Sequence, residues 1–228
     1  MITLASIVHD PKAKLLLSFI DYTDSLKSLY NQMCFVITDE TDKVLINHLD
    51  SIGQIQVKPK VGLGAPRRDS LSMATGETIH YCDSDRVLYW LRHYPTELAY
   101  TLDYIQHYDF TILERTKRAF YTHPKFQRDT EAEASQIASS HFNRPTDFLT
   151  GSRGLSQKAR SAILEYSKAM GAGTAVEWPL IAKKNNLSIG YLLCEGLEYE
   201  SDYFDIKREN RAEIINRMDN LREILEVA

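Results

Sequence analysis

Four short β-prone runs in the first 82 residues alternate with segments of helical periodicity, and that alternation constrains the fold more than any other feature. The runs are Thr3–Val8, Met33–Thr38, Gln54–Val57 and Thr78–Cys82. Between the first two, Lys12 to about Tyr30 repeats Leu15, Leu16, Phe19, Ile20, Leu26 and Leu29 near one face of a helix. Thr41–Leu49 and Arg67–Ala74 suit two shorter helices. A βαβα order calls for a mostly parallel sheet with helices on both faces. Such sheets bind ligands beyond the carboxyl ends of their strands. His9 and Asp10 follow the first run, Asp39 closes the second, and Asp83 and Asp85 follow the fourth.

The fourth strand end carries the most chemistry. In an extended chain residues i and i+2 point to the same side, so Asp83 and Asp85 can converge on one point. Paired carboxylates suit a hard divalent cation such as Mg²⁺ or Mn²⁺, which takes oxygen ligands and is often shared with a substrate diphosphate. Asp-Ser-Asp is also good turn chemistry and would cap a following helix. Both readings stand at the level of the motif.

The second half is less regular. Arg86–His93 and Pro95–Gln106 read as helices, and Asp109–Leu113 as a fifth strand. Residues 115–130 mix basic, aromatic and polar types before Thr130–His141 resumes helical character. Phe148–Gly154 reads as a strand end running into a glycine-rich loop, followed by a helix from Ser156 to about Ala169. Glu177–Lys184 is a short helical turn and Ile189–Cys194 a last strand. Lys207–Leu225 is amphipathic, with Ile214, Met218, Leu221 and Leu225 forming a stripe for docking. No repeat or low-complexity linker divides the chain, so the expectation is a single domain spanning residues 1–228.

Composition narrows the function. A net charge of −4, with Lys and Arg dispersed, argues against a protein that works by neutralising a nucleic-acid backbone. Cys34, Cys82 and Cys194 are isolated, so they read as buried thiols rather than a disulfide frame or zinc site. No apolar run approaches membrane-spanning length, and a cytoplasmic location is expected.

With these elements in order, the chain resembles nucleotide-diphospho-sugar glycosyltransferases of the GT-A fold. The features that carry the resemblance are Asp39, the basic pair in Arg67-Arg68-Asp69, and Asp83-Ser84-Asp85, which resembles the DxD motif of that family. A Gly-Ser-Arg-Gly loop at residues 151–154 and the segment Gly173-Thr-Ala-Val-Glu177-Trp178-Pro179 follow. The resemblance implies a GT-A-like domain whose half 1–110 binds a nucleoside-diphosphate sugar. It implies that half 111–228 binds an acceptor hydroxyl and ends in the C-terminal helix. It further implies that His9 and Asp10 border the nucleoside, that Asp39 meets the base, and that Arg67 or Arg68 meets base or diphosphate. Asp83 would contact ribose or metal, Asp85 would ligate Mn²⁺ or Mg²⁺, Glu177 would act as general base, and Trp178 would stack on a sugar.

The chain departs from the family in two places. Its last histidine is His141, although family members often supply a third metal ligand from a later histidine; Glu198 is a substitute. Trp178 occupies the position after Glu177 where the inverting pattern often has Asp. Plain readings compete at several sites: Asp39 as a helix cap, Arg67 and Arg68 as solvated first-turn charges, Glu177 as a first-turn acid, and Trp178 as core. Two other functions compete as well. A non-catalytic nucleotide-sugar-binding module is one, and a sugar nucleotidyltransferase is the other. The second is disfavoured because His9-Asp10-Pro11-Lys12 has no glycine.

Overall fold

In a computed structural model, which describes residues 1–204 and 211–228, the alternation becomes a seven-stranded sheet. The first half runs β1 (Ile2–Val8), α1 (Leu16–Leu29), β2 (Gln32–Thr38), α2 (Lys43–Ile52) and β3 (Gln54–Lys58). It continues with α3 (Gly64–Met73), β4 (Thr78–Cys82), α4 (Ser84–His93) and α5 (Pro95–Tyr104). Then come β5 (Phe110–Arg115), α6 (Lys117–Thr122), α7 (Lys125–Ser139), β6 (Ser152–Ser156) and α8 (Gln157–Tyr166). The chain finishes with α9 (Thr174–Lys184), β7 (Ile189–Cys194) and α10 (Arg211–Val227). Residues 207–210 of the expected C-terminal helix lie outside the described residues.

Strand order is β3-β2-β1-β4-β6-β5-β7. β1 pairs with β2 and β4, β2 with β3, and β5 with β7, all parallel. β6 runs antiparallel between β4 and β5. The expected strand end at Phe148–Gly154 therefore begins later, at Ser152, because Gly151 turns the chain with a φ of +65°.

Helices cover both faces of the sheet. On one face Phe19 and Leu26 of α1, Leu45 and Leu49 of α2, and Trp90 of α4 are fully buried. On the other face lie Leu71 of α3, Ala134 and Ala138 of α7, Ile163 of α8, Val176 and Trp178 of α9, and Ile224 of α10. Both faces of β4 and β5 are buried, as expected for strands in a sheet covered on two sides.

The strand order reverses at β1. From β1 the chain extends one way to β2 and β3, then crosses to β4 on the other side. The carboxyl ends of β1 and β4 therefore flank a topological switch point, where open α/β sheets form ligand crevices. Ser6 fastens this junction: its hydroxyl donates to the Cys82 carbonyl at 2.6 Å and meets Ser84 Oγ at 2.7 Å.

His80 sits inside this framework rather than on a wet face. It is fully buried, its Nδ1 bonded to Tyr30 Oη and its Nε2 to Ser152 Oγ, each at 2.8 Å. Burial holds its pKa at about 3, and burial together with the nearby Arg115 and Arg86 holds His123 at about 2. Both imidazoles stay neutral when folded and take up a proton near the ordinary 6.5 when unfolded. Their contribution is intact above about pH 6.5 and is lost as pH falls towards 3. Urea titrations across that window should show stability falling by up to about 1.4 kcal/mol per pH unit for each imidazole. A His80→Gln protein should lose about half of that slope; an unchanged slope would refute the assignment.

Candidate functional site

Asp83 and Asp85 stand at the carboxyl end of β4, at the start of α4. Asp83 occupies the N-cap position, yet its side chain makes no capping hydrogen bond. Its Oδ1 instead accepts from Tyr81 Oη at 2.5 Å, and its Oδ2 lies 3.6 Å from Arg67 Nη2. The backbone of Asp83 is held from below, where its N–H donates to the Gly151 carbonyl at 3.0 Å. Gly151 is required here: a Cβ would come within 2.5 Å of Asp83 Oδ2, and its φ is one that side chains rarely adopt.

Asp85 is half-buried, and its Oδ1 accepts from the Arg86 N–H at 3.0 Å. Desolvation, and after it the Asp83 carboxylate, push its carboxyl above the usual range. Arg86 is buried beside the pair; its Nη2 lies 2.6 Å from Glu200 Oε1, and among the described residues its Nε is unpartnered. Burial pushes the Glu200 carboxyl up to about 7, against the opposing pull of Arg86.

Two cavities open around these carboxylates. The smaller, of about 360 Å³, lies at the switch point between the segment Ile7–Leu15 and residues Asp83–Asp85, with Tyr203 and Phe204 as its far wall. The larger, of about 490 Å³, is bounded by Arg67, Arg86, Gly151 and Glu200, and by residues of α7 and α10 such as Gln127 and Arg217. Asp83, Asp85 and Phe204 border both cavities. The paired carboxylates, with no cation salt-bridged to Asp85 among the described residues, make a donor set that a hard divalent cation fits. Among the described residues no three His, Cys, Asp or Glu side chains could hold a metal, so further ligands would be ligand oxygens or water.

The residues singled out in the sequence divide into two groups. His9, Asp10, Arg67, Asp83 and Asp85 border one cavity or the other. His9 bonds Thr38 Oγ1 at 2.8 Å and Lys60 Nζ at 3.1 Å. The two oxygens of Asp10 accept from the Lys12 and Leu15 N–H groups, so Asp10 shapes the cavity floor by folding its own loop. Arg67 is buried, donating to Tyr81 Oη at 2.9 Å and Thr174 Oγ1 at 2.8 Å.

The second group borders neither cavity. Asp39 is exposed at the end of β2. Arg68 turns towards the other side of α3, donating to Ser167 Oγ and the Ala169 carbonyl. Trp178 is core: it is 2 % exposed, donates to Ser167 Oγ and packs edge-on against Tyr81. Glu177 clamps the loop after α8, with Oε2 accepting from Ser167 Oγ and Oε1 from the Lys168 and Ala169 N–H groups. Its carboxylate is engaged by that loop, and Glu177 borders neither of the two cavities. Glu198 accepts from Tyr89 and Tyr94 hydroxyls and pairs with Arg118, and it does not border the carboxylate pair's cavities.

Sequence reasoning missed Arg86, Glu200 and Phe204. Arg86 directly follows the acidic pair, the one signal available in the chain. Glu200 and Phe204 lie beyond the last strand in a segment without periodicity, and only the fold brings them to the site.

No family model matches the sequence, and no curated protein matches it. Solved structures match along the whole chain. Glucosyl-3-phosphoglycerate synthase from Mycobacterium tuberculosis, in complex with UDP, superposes with a TM-score of 0.63 at 14% identity, covering 100% of this chain and 81% of that one. The same enzyme with Mn²⁺, UDP-glucose and phosphoglyceric acid gives 0.62 at 16% identity, covering 99% and 79%. A mycobacterial protein gives 0.70 at 12% identity, covering 100% and 73%. No helix among the described residues is long and apolar enough to cross a membrane.

The Glu177 clamp makes a direct prediction. Glu177→Ala leaves the Lys168 and Ala169 N–H groups without their acceptor and should lower stability by about 1–3 kcal/mol. Chemical denaturation reads this; a midpoint equal to the parent's would show that the clamp does nothing. At identities of 12–16% the likeness is one of architecture: the chain has a GT-A-like α/β fold.

Proposed function

We propose that the chain is a metal-assisted glycosyltransferase that moves a sugar from a nucleoside-diphosphate donor to an acceptor hydroxyl. The observation that carries this reading is the shared wall of the two cavities, made by Asp83, Asp85 and Phe204. A donor whose nucleoside fills the 360 Å³ cavity would lay its diphosphate across the carboxylate pair. Its sugar would then enter the 490 Å³ cavity, where the acceptor waits. The glycosyltransferase of like fold that was solved with Mn²⁺ and UDP-glucose adds support for donor and cation together.

In this reading Asp83 and Asp85 would hold a divalent cation, whose chemistry would be to supply positive charge to the diphosphate leaving group. Arg67, with Nε and Nη1 engaged by Tyr81 and Thr174, would offer its Nη2 to a diphosphate oxygen as a single charge-assisted donor. Tyr81 keeps Asp83 oriented through its hydroxyl, and Gly151 leaves room for that carboxylate. Phe204, which borders both cavities beside the pair, would lie against the donor and shield part of it from water.

A second reading is favoured by one observation. With Glu177 tied to its loop, the residue expected to deprotonate the acceptor is withdrawn, which suits a module that binds a nucleotide sugar without turnover. Donor hydrolysis measured alongside binding separates the two readings.

Asp85→Asn keeps the shape and removes the charge. Calorimetry with UDP-glucose should show affinity in the presence of Mn²⁺ falling by at least about tenfold, a loss of roughly 1.4 kcal/mol or more. The fold should be retained, because the change relieves the repulsion with Asp83. A variant that binds donor as the parent does, with the same dependence on Mn²⁺, ends the metal-assisted reading.

A further inference from the structure

A guanidinium sits directly behind the carboxylate pair. Arg86 follows Asp85 in the first turn of α4, an end of the helix where the dipole disfavours a cation. It is 9 % exposed, and its Nε is buried with no hydrogen-bond partner among the described residues. Gly151 shows where that atom faces. A Cβ at Gly151 would stand 3.2 Å from Arg86 Nε and 2.5 Å from Asp83 Oδ2, so both atoms lie against the same spot. A small rotation of the side chain would bring the guanidinium onto Asp83. Yet among the described residues no ion pair joins Arg86 to Asp83 or Asp85.

The charge of Arg86 is answered from the segment that leaves β7. Its Nη2 lies 2.6 Å from Glu200 Oε1, and its Nη1 donates to the Leu197 carbonyl at 3.2 Å. That segment is fastened by other groups along its length. Glu97 accepts from the Glu195 and Gly196 N–H groups, each at 2.7 Å. Glu198 accepts from the Tyr89 and Tyr94 hydroxyls, the Tyr199 N–H donates to Thr122 Oγ1, and the Tyr203 carbonyl accepts from Lys14. Glu200 is thus delivered to Arg86 by fixed neighbours on both sides. Without the Glu200 carboxylate the buried guanidinium would stand uncompensated, a strongly unfavourable state. The acids whose charge it feels next are Asp85 and Asp83.

We infer that Glu200 is a positioning residue for the cation site: by holding Arg86 it keeps that guanidinium off Asp83 and Asp85 and leaves the pair open to a divalent cation. A carboxylate already paired with an internal guanidinium must exchange that partner for the metal, so an internal pair competes with cation binding. The cation itself rests on the transferase reading; the placement of Arg86 does not.

A metal-free crystal structure of the full chain carrying Glu200→Gln reads the placement of Arg86 directly. The guanidinium should move to within salt-bridge distance of Asp83 or Asp85; one that stays where it stands in the parent overturns the inference. Binding is the second readout, by calorimetry with Mn²⁺ in the presence of UDP at pH 8, above the value of about 7 to which burial pushes the Glu200 carboxyl. Glu200→Gln should weaken Mn²⁺ by about tenfold or more, because the metal must then displace an ion pair. Arg86→Met combined with Glu200→Gln removes the competitor together with its holder and should recover affinity to within about threefold of the parent. A double variant as weak as Glu200→Gln alone overturns the inference, since Glu200 then serves the cation itself. Should Glu200→Gln not fold, Glu200→Asp, which draws the acid back by one methylene, takes its place with the same directions and smaller factors. A parent that takes up no Mn²⁺ with UDP defeats the transferase reading alone, because the crystal structure is judged without metal.

Discussion

The contact between Gly151 and Asp83 is the constraint on which the site depends. Among the described residues β6 is the one antiparallel strand, and it lies against β4, whose end carries the carboxylates. Gly151 enters that strand in a left-handed conformation, with its carbonyl on the Asp83 N–H and its Cα beneath the Asp83 side chain. Arg153 braces the same turn, donating to Thr150 Oγ1 at 2.7 Å and to the Phe148 and Ala175 carbonyls. An extra methyl group at position 151 would push directly on Asp83 Oδ2, so a backbone feature of the second half sets the position of a side chain of the first.

Buried charge is used in the same way around the larger cavity. Arg115, with a fully buried side chain, pairs with Glu131 at 2.7 Å and Asp147 at 2.6 Å. Glu131 in turn meets Arg217 from α10, while Glu223 of that helix accepts from the Ala172 N–H at 2.8 Å. Removing one member of such a set strands the others in a low-dielectric setting, which costs more than the pair contributes over a neutral alternative. The set therefore fixes the relative placement of α7, α10 and the loop before α9 more than it adds net stability.

Much of the architecture was legible because it follows from periodicity. The extents of β4 and β7 agree with the sequence reading, and β1, β2 and β3 agree to within a residue or two at either end. The carboxylates could be placed at a strand end because a run of β-prone residues stops abruptly at Cys82. What the sequence did not disclose is which neighbours those carboxylates would have. Arg67 and Arg68 are adjacent and chemically alike, yet successive helical positions diverge by about 100°, so one faces Asp83 and the other the Ser167 loop. Glu177 and Trp178 looked functional because their chemistry suits a sugar site. In the fold the same chemistry ties down a loop and fills a core.

Burial also explains why the second half was harder to read. β6 is short, contains Gly154 and Arg153, and lacks apolar alternation; its strand character comes from being held between β4 and β5. A Cβ at Gly154 would come within 2.5 Å of Ile105, so glycine is set there by packing rather than by turn chemistry. The cavity walls from Tyr199 to Phe204 and from α10 are likewise drawn together by tertiary contact. α10 buries Ile224 in the core near its C-terminal end and, two turns earlier on the same face, pairs Arg217 with Glu131 at the cavity. A helix that docks through one end of a face while offering polar side chains to a cleft from the other lets ligand preference change without disturbing the sheet that holds the carboxylates.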